Sequence, residues 1–135
     1  MKKLYVGCSL TLAPEEFRKT VAKLKDTLRA DYEVLDFLGL ITGTPKDVYE
    51  WDIHHCVRDC DLFLAVCDYP SLGLGYEMGV AVEKLRKPTL AVAHAHSKVG
   101  RIFTGIDQPH YRFLRYTSFS EIPNMVKSFT EELGV

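Results

Sequence analysis

Asp61-Leu62-Phe63-Leu64-Ala65-Val66-Cys67 is a continuous apolar run with no alternation. A strand that reads this way is buried on both faces, as in the middle of a parallel sheet covered by helices. The stretch that follows, Asp68-Tyr-Pro-Ser-Leu-Gly-Leu-Gly75, is rich in turn formers. It leads into a helix expected from about residue 75 to Lys87, which stops before Pro88.

Working outward, the same strand–helix alternation repeats. Residues 2–7 read as a short strand ending at Gly7. Pro14, Glu15 and Glu16 open a helix, with proline at its first position and acids in its first turn. Its apolar face is Phe17, Val21, Leu24 and Leu28. Residues 32–35 read as a second strand, and Gly39 to Pro45 as a loop. Thr44 caps a helix over about 46–59, with Pro45 in its first turn. Thr89 to Ala93 is a fourth strand and Arg112 to Tyr116 a fifth. Ser118 and Glu121 form a capping box for a last helix carrying Phe119, Ile122, Val126, Phe129 and Leu133.

Five strands in this rhythm predict a three-layer α/β fold with a five-stranded parallel sheet. The flavodoxin-like order 2-1-3-4-5 is the expected topology. It brings strands 1 and 3 together at the switch point, where ligands bind beyond the strand C-termini. The loops meeting there are Gly7-Cys8-Ser9-Leu10-Thr11 and Asp68–Gly75.

Composition bounds the partners. The 135 residues are expected to form one domain, residues 1–135. Lys plus Arg is 17 and Asp plus Glu is 18, a formal net charge of −1. Such a chain has no bulk field to gather nucleic acid or an anionic membrane, so an anionic ligand needs a local site. The longest apolar runs are too short to cross a bilayer, and no signal-peptide pattern opens the chain; a cytoplasmic protein is expected. Cys8, Cys56, Cys60 and Cys67 lie in apolar segments and read as reduced core thiols. The set His54, His55, Cys56 and Cys60, with His94 and His96, matches no common zinc spacing, so neither metal nor cofactor is expected.

The chemistry concentrates around Pro70-Ser71-Leu72-Gly73-Leu74-Gly75-Tyr76-Glu77-Met78-Gly79. Gly73 and Gly75 let the backbone approach a ligand, and the helix start offers unpaired N–H groups. No Gly-Lys-Ser/Thr follows, so this is not a Walker loop. Glu77 is expected in the first turn, where the helix dipole keeps a carboxylate ionised as a nucleophile requires. Asp52 falls on the apolar stripe of Tyr49, Ile53, Cys56 and Cys60, so it must be paired or functional. Tyr5 ends the first strand, with its hydroxyl in reach of the same crevice. Ser9 and Ser71 are hydroxyl groups in the two loops.

Tyr5-Val-Gly-Cys-Ser9, Tyr49-Glu-Trp-Asp52, Asp61-Leu-Phe-Leu-Ala and Pro70-Ser-Leu-Gly-Leu-Gly-Tyr-Glu77-Met-Gly together resemble the nucleoside 2-deoxyribosyltransferase superfamily. The last stretch is most similar to its 2'-deoxynucleoside 5'-phosphate N-hydrolase branch. The resemblance spans residues 4–104. It implies a small-molecule nucleoside or nucleotide substrate and a Glu77 that attacks the anomeric carbon. It also implies an Asp52 that handles the proton of the departing base and a Tyr5 that orients the nucleophile. Cys8, Ser9, Leu10, Thr11, Ser71, Gly73 and Gly75 are the implied substrate-binding residues. Thr104, in Gly100-Arg-Ile-Phe-Thr104, would reach the site of a neighbouring subunit in a homodimer. The branch carries Gly-Ser-x-Arg-Gly in its first loop, whereas this chain has Cys8-Ser9-Leu10-Thr11-Leu12 and lacks the arginine. A monophosphate and a free nucleoside both remain open, as do hydrolysis, transfer to a second base, and binding without catalysis.

Overall fold

The computed structural model describes residues 1–135. Its sheet has five parallel strands, β1 (Lys3–Cys8), β2 (Glu33–Leu35), β3 (Leu62–Val66), β4 (Thr89–His94) and β5 (Tyr111–Tyr116), in the order β2-β1-β3-β4-β5. This is the expected architecture and order. All five residues of β3 are buried, because helices cover both sides of the sheet.

Alternation along β1 divides the core. Leu4, Val6 and Cys8 face helices α1 (Glu15–Leu28) and α5 (Ile122–Leu133), packing with Phe17, Val21, Leu24, Ile122, Val126 and Phe129. Tyr5 faces the opposite layer. That layer is α2 (Pro45–Trp51, continued by a π-helical turn over Asp52–Val57) and α3 (Leu72–Gly79, continued by another over Val80–Lys84). Ile53, Cys56, Val57, Leu74, Met78, Ala81 and Val82 pack there against Phe63 and Ala65 of β3. Each fully buried Leu, Val, Met or Phe contributes about 1.5–3 kcal/mol, so two such clusters fix the sheet between its helical layers.

Several boundaries differ from the sequence reading. Pro14 is the N-cap of α1 in an extended conformation rather than its first helical residue. The Thr44 cap is as expected and closes a full box with Asp47, but α2 starts at Pro45. The Ser118–Glu121 box opens a short 3-10 turn, Phe119–Glu121, before α5 begins. A short helix, α4 (Arg101–Gly105), occupies a segment with no helical signal of its own.

The most consequential shift is at α3, which starts at Leu72 instead of residue 75. Ser71 is its N-cap: Oγ accepts the Leu74 N–H at 3.0 Å. A hydroxyl four residues upstream of Gly75 therefore nucleates the helix, and the two glycines fall inside its opening turns. Glu77 consequently sits in the second turn, not the first.

Candidate active site

Beyond the C-termini of β1 and β3 lies a cavity of about 680 Å³, walled by the β1–α1 loop, the segment after β2, α2 and the start of α3. This is the switch point of the sheet. Tyr5, Asp52 and Glu77 all line it. So do Cys8, Ser9, Leu10, Thr11, Ser71 and Gly73. Gly75 and Thr104 do not. Gly75 faces Phe103 of α4, 3.5 Å from where a β-carbon would stand, and Thr104 is exposed on α4.

Glu77 is buried, and the phenol of Tyr5 donates a hydrogen bond to its Oε2. Burial pushes the Glu77 carboxyl up to about 8; the Tyr5 hydroxyl opposes this, nearby Asp52 adds to it, and Lys25 opposes it. The expectation of a carboxylate held ionised by a first-turn dipole is thus corrected. Beyond the first turn the helix end has little hold, and desolvation dominates. Burial also raises the Tyr5 phenol well above its ordinary value, with the charge on Glu77 adding to the effect.

Asp52 stands at the junction where α2 widens into its π-helical turn. Its Oδ1 accepts the backbone N–H of Leu38 at 2.9 Å. Half-burial raises its carboxyl, while the Leu38 N–H and the more distant Lys25 ammonium pull it down. Its partner is therefore the backbone just beyond β2. Tyr49, expected on the buried stripe with Asp52, is 44% exposed at the cavity rim; Ile53 and Cys56 do point into the core.

The Leu38 amide is held in place by its neighbours. Asp36 takes both carboxylate oxygens to Arg29 at 2.9 Å, and its carbonyl accepts the Trp51 indole N–H at 2.7 Å. The Lys25 ammonium lies 3.8 Å from the centre of the Phe37 ring and 3.5 Å from Asp36. Phe37 and Leu38 carry no signal in the sequence. Lys25 does follow Leu24 on the buried side of α1, so a lysine beside an apolar stripe was its one visible mark.

The two loops are tied to each other. Ser9 is fully buried and its hydroxyl donates to the Pro70 carbonyl at 2.9 Å. No group of three or more His, Cys, Asp or Glu side chains converges to hold a metal ion. Burial pushes the thiols of Cys56 and Cys60 up to about 12 and that of Cys8 to about 11, so all three stay protonated at neutral pH. His54 and His55 instead pair with Arg58 and Asp59. No helix is long and apolar enough to cross a membrane.

No protein-family profile matches the chain. A protein of Thermofilum pendens named "Putative 2'-deoxynucleoside 5'-phosphate N-hydrolase 1" is 33% identical over 118 residues, covering 77% of this chain and 80% of its own. A protein of the same name from Syntrophotalea carbinolica is 32% identical over 78 residues, covering 58% of this chain and 54% of its own. Among solved structures, a CMP N-glycosidase from Clostridium botulinum superposes with a TM-score of 0.70 at 18% identity, over 93% of this chain and 99% of that one. A 2-desoxiribosyltransferase from Leishmania mexicana superposes with a TM-score of 0.66 at 15% identity, over 94% and 98%. At these identities the two structures report a shared fold.

Proposed function

The chain belongs to the 2'-deoxynucleoside 5'-phosphate N-hydrolase family, within the nucleoside 2-deoxyribosyltransferase superfamily, and from that premise we propose that it hydrolyses the N-glycosidic bond of a (deoxy)nucleoside or its 5'-monophosphate. The single observation that carries the reading is the hydrogen bond from Tyr5 to a buried Glu77, with Asp52 facing the same cavity. Two carboxyl groups with separate environments suit the two roles of glycosidic cleavage that passes through a covalent intermediate.

In this reading the Glu77 carboxylate attacks C1' of the sugar. The C1'–N bond breaks, its electron pair leaves with the base, and Asp52 supplies the proton that neutralises it. Water then attacks C1', gives a proton back to Asp52, and frees Glu77 and the sugar. Tyr5 holds the attacking oxygen pair and favours its ionised form. Cys8, Ser9, Leu10, Thr11, Ser71 and Gly73 are assigned to binding the sugar end. We infer a homodimer, which would bring Thr104 of one copy towards the other's cavity; the exposed Ile102 beside it supports this.

Chromatography of (deoxy)nucleosides and nucleotides incubated with the protein tests the reading. Release of free base, abolished by Glu77→Ala, is expected. Base exchange outpacing hydrolysis when a second base is added would make the protein a transferase. Turnover untouched by Glu77→Ala would remove the nucleophile assignment.

A further inference from the structure

One cation beside the cavity is uncommitted. Arg18 Nε is buried without a hydrogen-bond partner, and no carboxylate forms an ion pair with its guanidinium. Glu15, three residues before it on α1, pairs with Lys19 instead. The other cations of α1 on this side are spent: Lys25 on Asp36 and the Phe37 ring, Arg29 on Asp26 and Asp36. A buried N–H with nothing to bond costs stability, so it marks either strain or an absent acceptor.

The placement of Arg18 on α1 directs it to the cavity wall. It stands seven residues, about two turns, before Lys25 on one stripe of the helix. Lys25 already covers Phe37, which lines the cavity. Side chains on a helix lean towards its N-terminus, and at that end of α1 the loop residues Ser9–Leu12 line the cavity. Burial raises the Cys8 thiol in the same wall, and the charges of Lys25 and Arg18 both oppose the rise. The lining itself holds Asp52 and Glu77 but no Lys, Arg or His.

We propose that Arg18 is the specificity-determining cation of this site, its guanidinium binding the 5'-phosphate of a (deoxy)nucleoside monophosphate at the β1–α1 loop. The proposal rests on the N-glycosidase reading and assigns to α1 the choice between its two substrate forms. A phosphate monoester carries between one and two negative charges at neutral pH. Taking such a group out of water needs a paired cation or a full set of charge-assisted donors. The guanidinium fork offers parallel N–H groups to two phosphate oxygens, and the anion is the acceptor that Arg18 lacks. Ser71 Oγ accepts the Leu74 N–H and keeps its own hydrogen to donate, and the Thr11 hydroxyl lies in the same wall. A neutral 5'-hydroxyl leaves the guanidinium unpaired and gains little from it. The apolar remainder of the lining suits a base and a furanose ring.

The test compares each 2'-deoxynucleoside 5'-monophosphate with its own nucleoside, so that the base is held constant. The unmodified protein should favour the monophosphate by about tenfold or more in kcat/KM. Arg18→Gln should lower the monophosphate-to-nucleoside ratio about 10- to 100-fold, the worth of a hydrogen bond to a charged group. Arg18→Lys keeps the charge and loses the fork, so its ratio should fall between the two. Calorimetry supplies a second measurement: Glu77→Gln binds without turning over, and adding Arg18→Gln to it should weaken the monophosphate alone. Equal or better use of the nucleoside by the unmodified protein overturns the proposal. So does an Arg18→Gln that lowers both members of a pair equally, since Arg18 then serves only the fold. A ratio unmoved by Arg18→Gln but lowered by Arg101→Gln overturns it in favour of α4 from a second copy. Absence of base release from every pair overturns the N-glycosidase reading instead, while the calorimetric affinities still decide the role of Arg18. Binding of neither form overturns both.

Discussion

The phenol of Tyr5 and the carboxyl of Glu77, 72 residues apart in the chain, meet in a buried hydrogen bond at the C-terminal edge of the sheet. Tyr5 is fixed from behind by its ring, which stacks on Phe63 with centroids 5.2 Å apart. Its hydroxyl is the one neighbour that both touches Glu77 and favours the carboxylate over the acid. A nucleophile buried this deeply relies on that donor, with the Lys25 charge behind it, to ionise nearer neutral pH.

Tyr5→Phe keeps the stack and deletes the donor. Base release should fall about 10- to 100-fold in kcat/KM, the worth of one hydrogen bond to a charged group. The profile against pH carries a second signature. With Glu77 near 8, kcat/KM of the unmodified protein should climb as pH rises through that value, because only the carboxylate attacks. In Tyr5→Phe the climb should move to higher pH. A fall in rate with an unmoved profile would mean that Tyr5 acts on the substrate and not on Glu77.

The same shift makes Glu77 a cost to the fold in alkaline solution. Its ordinary value is 4.5, and the folded value is near 8. Between these the native protein holds a proton that the unfolded chain has released, so stability must decline as pH rises through that window. The decline should be on the order of 2–4 kcal/mol between pH 5 and pH 8.5. Glu77→Gln removes the titration and keeps an acceptor for Tyr5. Urea midpoints should therefore favour Glu77→Gln at pH 8.5, with the advantage fading by pH 5. Parallel curves for the two proteins would show that Glu77 is charged in the fold throughout.

Asp52→Asn tests the assignment of the acid separately. The amide oxygen still accepts the Leu38 N–H, so the fold is preserved and only the proton is lost. Rates on natural bases should drop about 10²- to 10⁴-fold, as for the loss of a general acid. A 2-deoxyribosyl donor with a nitrophenolate leaving group needs no protonation, and on it the variant should stay within about tenfold of the parent. An equal loss on both substrates would assign Asp52 to binding.

The sheet order and most of this site were legible because they rest on local signals. The unbroken apolar run Leu62–Val66 declares a strand with both faces covered, and Pro45 and Pro88 punctuate the helices. What was not legible depends on three-dimensional closure. Ser71 looks like a turn serine until its hydroxyl is seen to cap α3, and that single bond moves Glu77 out of the first turn. Segment 36–38 has no periodicity to read. Its importance comes from Arg29, Trp51 and Lys25, which converge on it from other elements and hold the Leu38 amide against Asp52. The π-helical turn after Trp51 likewise leaves no mark in the sequence.

Gly7 closes the list of constraints around the cavity, and its role is spatial. A β-carbon there would stand 3.0 Å from Leu74 Cδ1 and 3.0 Å from Phe63 Cε1. Leu74 belongs to the opening of α3, and Phe63 is the ring on which Tyr5 stacks. Gly7→Ala therefore makes the Leu74 side chain or the Phe63 ring give by a few tenths of an ångström, and either movement reaches the surroundings of the Tyr5–Glu77 pair. The expected cost is about 1–3 kcal/mol of stability, typical of overpacking a dense core. Leu74 is the more yielding neighbour, because its side chain can change rotamer. Gly7→Ala combined with Leu74→Ala should accordingly recover part of the activity lost in Gly7→Ala alone, even though Leu74→Ala opens space in the core. Kinetics and urea midpoints for the two single variants and the double variant measure that coupling. Strict additivity would show that Gly7 matters through its backbone and not through the room it leaves for α3.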